Sequence, residues 1–283
     1  MIRILTDSAS DILPAEAEQL GVTVIPLNVT LEDGTVLRDG IDKTPSEYYA
    51  LLKECHKLPT TSQPSPELFE RFYQDAAAAG DEVLGIFLSH ELSGTWQCAR
   101  LAADLVNVDN VLFVDSANVC LGEGLLVRLA VQLRAAGKTM VQIVTDLEHA
   151  KEHLHLVAAI DDLKYLRRGG RISAAAQVAG SLLKIKPILQ SDPEGHIIQH
   201  SKVRGQLKAM ETLAELYKEY AVDGTRTVGI AHADCPDGAL RLQAKLRDAG
   251  QTGEILSVCY EPVTGGHVGP GTVALFFFGE VWR

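Results

Sequence analysis

The run Val83-Leu84-Gly85-Ile86-Phe87-Leu88, followed by the polar Ser89-His90-Glu91 and the amphipathic Thr95 to Val106, decides the fold. An unbroken apolar run of this length reads as a strand buried on both faces, and the helix after it carries the chain back for a parallel neighbour. Val111 to Asp115 supplies that neighbour, and Gly122 to Ala136 reads as the next helix. Upstream, Ile2 to Leu5, Pro14 to Leu20 and Val22 to Pro26 repeat the order strand, helix, strand. Such alternation predicts a parallel sheet covered on both faces. A hairpin is expected around Asp33-Gly34, with helices over Pro45 to His56 and over Pro66 to Ala79, the latter with Pro66 at a favoured first position.

Past about residue 150 the texture changes. Val157 to Ile160 reads as a strand and Ser173 to Leu183 as a helix, while Ile185 to Gln190 and His196 to Ser201 flank the turn residues Ser191-Asp192-Pro193-Glu194-Gly195 as an antiparallel hairpin. A helix over Gln206 to Tyr220, a strand over Thr227 to Ala231, a helix over Gly238 to Ala249 and strands over Glu254 to Val258 and Val273 to Phe278 complete a mixed sheet. The expectation is an α/β protein of two domains, an α/β/α parallel-sheet domain over 1–150 and an α/β mixed-sheet domain over 151–283. The 283 residues, about twice an ordinary domain, agree with this division.

Composition narrows the function. With 46% hydrophobic and 22% charged residues the chain is an ordinary globular one. Lys and Arg number 26 against 37 Asp and Glu, a formal charge of −11, and no basic run tracks a phosphate backbone, so nucleic acid is not expected as a partner. Five cysteines, without a Cys-x-x-Cys pair, read as free thiols in a reducing cytosol rather than as a disulfide framework. The first residues, Met1-Ile2-Arg3-Ile4-Leu5-Thr6-Asp7, turn acidic before an export signal could form, and Pro262 to Gly279 is too broken by proline and glycine to span a bilayer. A cytoplasmic location is expected.

In open parallel sheets ligands bind where the strands end and helix N-termini point their free N–H groups. Four segments meet that criterion: Thr6 to Asp11, Pro59 to Pro66, Ser89 to Thr95 and Asp115 to Asn118. Ser89 to Thr95 offers hydroxyls around Gly94 at the start of a helix, where an anion can approach the backbone. Thr60-Thr61-Ser62-Gln63-Pro64-Ser65-Pro66 is equally rich in hydroxyls. Plain capping by Ser65, Ser93 or Thr95 explains the same residues. In Leu166-Arg167-Arg168-Gly169-Gly170-Arg171-Ile172 the glycine pair allows a sharp turn that aims Arg171 as an anion clamp, or else the segment is a solvated basic turn. Gly265-Gly266-His267-Val268-Gly269-Pro270-Gly271 reads as a glycine-rich loop that brings His267 close to a ligand, or as a flexible connection.

Other constellations fail. His149, His153 and His155 look metal-like, but Leu154 and Leu156 should face inward and leave the histidines on a solvated side, so no metal is expected. Asp7-Ser8-Ala9 is similar to the nucleophile loop of haloacid-dehalogenase-type phosphatases but has Ala9 where the second Asp is needed; hydroxyl capping or a hydrogen bond near the substrate is the remaining reading. No phosphate-binding loop, dinucleotide fingerprint, His-Glu-x-x-His or Gly-x-Ser-x-Gly elbow is present.

Four segments together resemble the DegV family of bacterial lipid-binding proteins, which includes fatty-acid-binding subunits of fatty acid kinase: Thr60 to Ser65, Leu92 to Thr95, Tyr165 to Ile172 and Gly266 to Gly271. Thr6-Asp7-Ser8 and Lys186-Pro187-Ile188-Leu189 fit as well. The resemblance spans nearly the whole chain. It implies a carrier, not an enzyme, that encloses one long-chain fatty acid such as palmitate or oleate, the carboxylate near the domain junction and the tail in the C-terminal domain. Thr61 and Ser93 match the carboxylate-binding hydroxyls, with Ser62, Gly94, Thr95, Arg171 and His267 in the supporting polar network. No cofactor is implied beyond the bound lipid; the partners would be a kinase that phosphorylates the carboxylate and, transiently, a membrane surface. His90-Glu91, Trp96 and Arg168 depart from the residues usual at those positions. Burying about fifteen methylenes at ~0.8 kcal/mol each yields roughly 12 kcal/mol gross, enough for tight binding after ordering costs. The competing reading is a hydrolase or acyl transferase with Ser93 as nucleophile and His267 as base, for which no orienting carboxylate is evident.

Overall fold

The structure, a computed structural model of the chain, describes residues 1–172 and 184–281. The helix expected over Ser173 to Leu183 lies outside the described residues. In chain order the first half comprises β1 (Ile2–Asp7), α1 (Pro14–Leu20), β2 (Val22–Ile25), β3 (Asn28–Thr30), β4 (Val36–Arg38), α2 (Pro45–Glu54), β5 (Thr60–Ser62), α3 (Pro66–Ala78), β6 (Glu82–Phe87), α4 (Thr95–Val106), β7 (Val111–Asp115), α5 (Leu121–Ala135) and α6 (Met140–Lys151). The second half contributes β8 (Leu154–Ala159), α7 (Lys164–Gly169), β9 (Ile185–Ser191), β10 (Ile197–Arg204), α8 (Gln206–Tyr220), β11 (Val228–His232), α9 (Pro236–Asp248), β12 (Ile255–Cys259), α10 (Pro262–Val268) and β13 (Val273–Phe278).

The first-half strands β2-β1-β6-β7 form a wholly parallel sheet. Its inner strands β1 and β6 are buried almost throughout, as their continuous apolar runs require. The hairpin around Asp33-Gly34 is present as β3 and β4, and β5 adds a third antiparallel strand beside β3. The second sheet has six strands in the order β10-β9-β8-β13-β11-β12, antiparallel except for the β11–β12 pair. The architecture is therefore α/β, with a parallel and a mixed sheet formed by successive stretches of chain.

Helix α5 lies between the sheets, against β1 and β6 on one side and β8, β11 and β13 on the other. This position accounts for its burial: residues 121–127 are covered without interruption, which an amphipathic surface helix would not be. One buried apolar cluster runs from Ile4 and Leu84 through Leu121 and Leu125 to Leu156 and Phe276.

His155 corrects the sequence reading. His149 is exposed, but β8 is an inner strand buried over all its residues, so His155 is covered as fully as Leu154 and Leu156. Its ring stacks on Phe277 at 4.9 Å, its Nε2 lies 2.6 Å from the Glu280 carbonyl, and burial lowers its pKa to about 4. No described helix is long and apolar enough to cross a membrane.

Candidate functional site

The site grows out of the carboxyl ends of the parallel strands. After β6, the Ser89 carbonyl accepts hydrogen bonds from the N–H groups of Leu92 and Ser93, which folds the segment into a tight turn before α4. Ser93 Oγ then lies 2.9 Å from Thr95 Oγ1 and accepts from the Thr95 N–H at 3.3 Å. Gly94 is the N-cap residue of α4 and offers no capping side chain; at α3, Ser65 bonds the Glu67 carboxylate rather than a backbone N–H. Thr60 to Ser62, expected as loop, are a strand: Thr61 pairs with Val29 of β3, so its side chain is aimed by a sheet.

His267 is carried by α10, where the sequence suggested a glycine-rich loop. Gly265 and Gly266 are part of a helix because α10 packs against α2: a Cβ at Gly265 would sit 2.3 Å from the Tyr49 hydroxyl, and one at Gly266 2.4 Å from that of Tyr48. The glycines thus serve close approach rather than flexibility. From α10 the His267 Nε2 meets Thr61 Oγ1 at 2.8 Å. Burial, reinforced by the charge of Arg171, lowers the His267 pKa to about 4, so the imidazole is neutral at pH 7.

Arg167 and Arg168 belong to the last turn of α7, which ends at Gly170 in the left-handed conformation, so the segment is a helix terminus rather than a simple turn. Arg171 follows, its Nε donating to the Leu92 carbonyl at 3.0 Å and its Nη1 to that of Gly169 at 2.5 Å. The guanidinium thereby ties α7 to the turn that presents Ser93.

Thr61, Ser62, Ser93, Gly94, Arg171 and His267 all line one cavity of about 370 Å³, whose remaining wall is mostly apolar, with Leu27, Leu88, Leu156, Leu189, Ile197 and Val263 among its residues. Thr95 stands one step behind, bonded to Ser93. Thr264 and Cys120 also line this cavity, with Sγ and Oγ1 3.7 Å apart. Neither lies in a segment singled out from sequence: Cys120 immediately precedes α5, and Thr264 stands in α10 one residue before Gly265. A larger cavity of about 700 Å³ is lined by Arg128, His149, His153, Arg226, Glu254 and Glu280 among others. Its mixed charges do not converge on an apolar interior, which the smaller cavity's polar groups do.

The nucleophile reading finds no geometry here. Among the described residues the His267 ring is bonded to Thr61 and Ser93 to Thr95, so neither forms the Ser–His pair that attack on an ester requires. Asp7 and Ser8 serve the fold: the Asp7 carboxylate accepts from the N–H groups of Ala9 and Leu88, and Ser8 Oγ donates to Asp39 at 2.7 Å.

Known proteins resemble this chain in sequence and fold. A DegV domain-containing protein of Caldanaerobacter subterraneus subsp. tengcongensis is 34% identical over 277 residues, 98% of either chain. A DegV family protein from Thermus thermophilus, described for its fatty acid binding, superposes with a TM-score of 0.91 at 33% identity, over 98% of this chain and 99% of that one. DegV from Bacillus subtilis, described as a fatty acid binding protein, gives 0.87 at 31% identity, over 99% of each. With the DegV family model matching residues 1–280 as well, this chain belongs to the DegV family.

Proposed function

We propose that the protein binds one long-chain fatty acid in the 370 Å³ cavity, carboxylate against Thr61 and Ser93 and tail along Leu156, Leu189 and Ile197. The observation that carries this reading is the convergence, in one apolar cavity, of two hydroxyls, a neutral imidazole and a guanidinium. A buried carboxylate without partners would cancel several kcal/mol of the tail's contribution. With its hydrogen on Nε2, His267 would donate to Thr61 across their 2.8 Å contact and leave the Thr61 hydroxyl hydrogen for the ligand, and donation from Thr95 across the 2.9 Å contact would do the same for Ser93. Arg171 supplies the positive charge that a neutral His267 does not.

The protein acts as a carrier. A separate kinase phosphorylates the presented carboxylate, and the lipid exchanges at a membrane surface through a local apolar contact, all in the cytoplasm. The fatty acid binding of the Thermus and Bacillus relatives supports the lipid part of this reading. Mass spectrometry of protein denatured after purification from a bacterial host tests it: about one C14 to C18 fatty acid per chain is expected. A consistently empty protein that also ignores added palmitate and oleate would refute it.

A further inference from the structure

Of the Thr6 to Asp11 segment at the end of β1, the lipid cavity takes up only Ala9. Ser8 and Asp11 line a second cavity, of about 450 Å³, which shares no lining residue with the first. Ile12, Val24 and Pro26 form part of its wall, and Leu13 and Ile41, 43% and 53% exposed, mark its mouth. The charged groups that line it are all acids: Asp11, Asp39 and Glu261, only 2%, 2% and 8% exposed.

Asp39 is engaged, accepting from the Ser8 hydroxyl at 2.7 Å and from the Val263 N–H at 2.8 Å. Asp11 and Glu261 differ from it. Asp11 Oδ2 and Glu261 Oε2 are buried without a hydrogen-bond partner, and Glu261, although it precedes α10, makes no capping bond there. Arg128, the cation whose charge bears on Asp11, is forked onto Glu16 through Nε and Nη2 at 2.8 Å and forms no ion pair with Asp11. Ionised, each of these oxygens lacks a donor; protonated, its O–H lacks an acceptor. Either way an unmet polar group is buried, which costs free energy. Burial first, and then the charge of Asp39, raises the pKa of both groups, that of Glu261 to about 7, as expected of carboxyls without a counter-ion.

We propose that this cavity binds a small organic cation, a guanidinium on a short apolar chain, with its N–H groups toward Asp11 and Glu261 and the chain along Val24, Pro26 and Ile41. The charge of Glu261 bears on Asp11, so one cation can serve both. Among the described residues these carboxylates do not converge as closely as the ligands of one metal ion. A planar guanidinium instead fans its donors outward to acceptors on different sides, and it keeps its charge when buried. A quaternary ammonium has no N–H to offer the two oxygens. The volume falls within the range of small-ligand sites, about 300–1,000 Å³.

The test is calorimetric titration of the full chain with n-butylguanidinium and, separately, with n-butylurea, which has nearly the same shape and no charge. One n-butylguanidinium per chain is expected, with n-butylurea at least tenfold weaker. Asp11→Asn and Glu261→Gln should each weaken n-butylguanidinium at least tenfold. Both substitutions keep side-chain size, and Asn tolerates the left-handed backbone at Asp11, φ 54°, so a urea midpoint near that of the parent should confirm intact folding. Saturating oleate should leave the titration unchanged. The proposal is overturned if n-butylguanidinium fails to bind one to one, if n-butylurea binds equally well, if either folded variant binds like the parent, or if oleate displaces the cation.

Discussion

Replacing Thr61 by Val separates head-group recognition from tail burial. Valine keeps the shape of threonine and suits β5, so the strand pairing with β3 should survive. What is lost is one hydroxyl, bonded at 2.8 Å to His267 in a cavity wall that, in the proposed complex, also faces the carboxylate. A hydrogen bond to a charged group contributes about 1.5–3 kcal/mol, which corresponds to roughly tenfold to hundredfold in the dissociation constant. Loss of the bond to His267 in the free protein should cost stability only about 1 kcal/mol. The assay is displacement of a fluorescent fatty acid by oleate and, separately, by oleyl alcohol, which has the tail but no carboxylate. Thr61→Val should weaken oleate by that factor and leave oleyl alcohol within about twofold. Equal weakening of both ligands, or of neither, would refute the assignment of Thr61 to the head group.

Ser93→Ala should likewise weaken oleate, by about tenfold, with little change in denaturation midpoint, since among the described residues the hydroxyl bonds only Thr95. Gly265→Ala should destabilise the protein by about 1–3 kcal/mol in urea unfolding, because its Cβ meets the ring of Tyr49, buried to 1% exposure and unable to withdraw. The unfolded His267 imidazole gains its proton near 6.5 and the folded one only near 4, so acidification through that window favours the unfolded chain. Stability measured from pH 7 to pH 4 should fall less steeply in His267→Gln than in the parent, the difference being on the order of 3 kcal/mol. Burial raises the pKa of Asp39 to about 6 and those of Asp7 and Glu261 to about 7, so these acids add stability below their unfolded pKa and lose it as pH rises. Their slope is opposite in sign, which is why the comparison between variant and parent, rather than the raw curve, isolates the imidazole.

Elements with a strong local signal were legible from sequence. Pro14 to Leu20, Thr95 to Val106, Val111 to Asp115, Gln206 to Tyr220 and Val273 to Phe278 coincide with the observed elements because apolar period and end signals agree there. Helix α6 was missed although Thr139 and Gln142 form a reciprocal capping box at its start, a signal carried by the sequence itself. By contrast α10 and β5 were hidden by tertiary causes. Glycine is a poor helix former, and only the tyrosines of α2 reveal why α10 needs two of them. Thr60 to Ser62 becomes a strand through its partner β3, some thirty residues away. The same holds for the site: the hydroxyl-rich segments and Arg171 could be read as anion-binding candidates, but the bond between Thr61 and His267 joins residues 206 apart in sequence. Residue types alone therefore left capping and ligand binding side by side.

The central claim concerns where the acid group of a bound lipid lies, and a crystal structure of the protein grown with oleate at pH 7 tests it most directly. The account predicts a carboxylate within hydrogen-bonding distance of Thr61 Oγ1 and Ser93 Oγ, and a tail running between Leu156 and Leu189. Oleate bound with its carboxylate at another surface, or a cavity closed by side chains while lipid sits elsewhere, would contradict it.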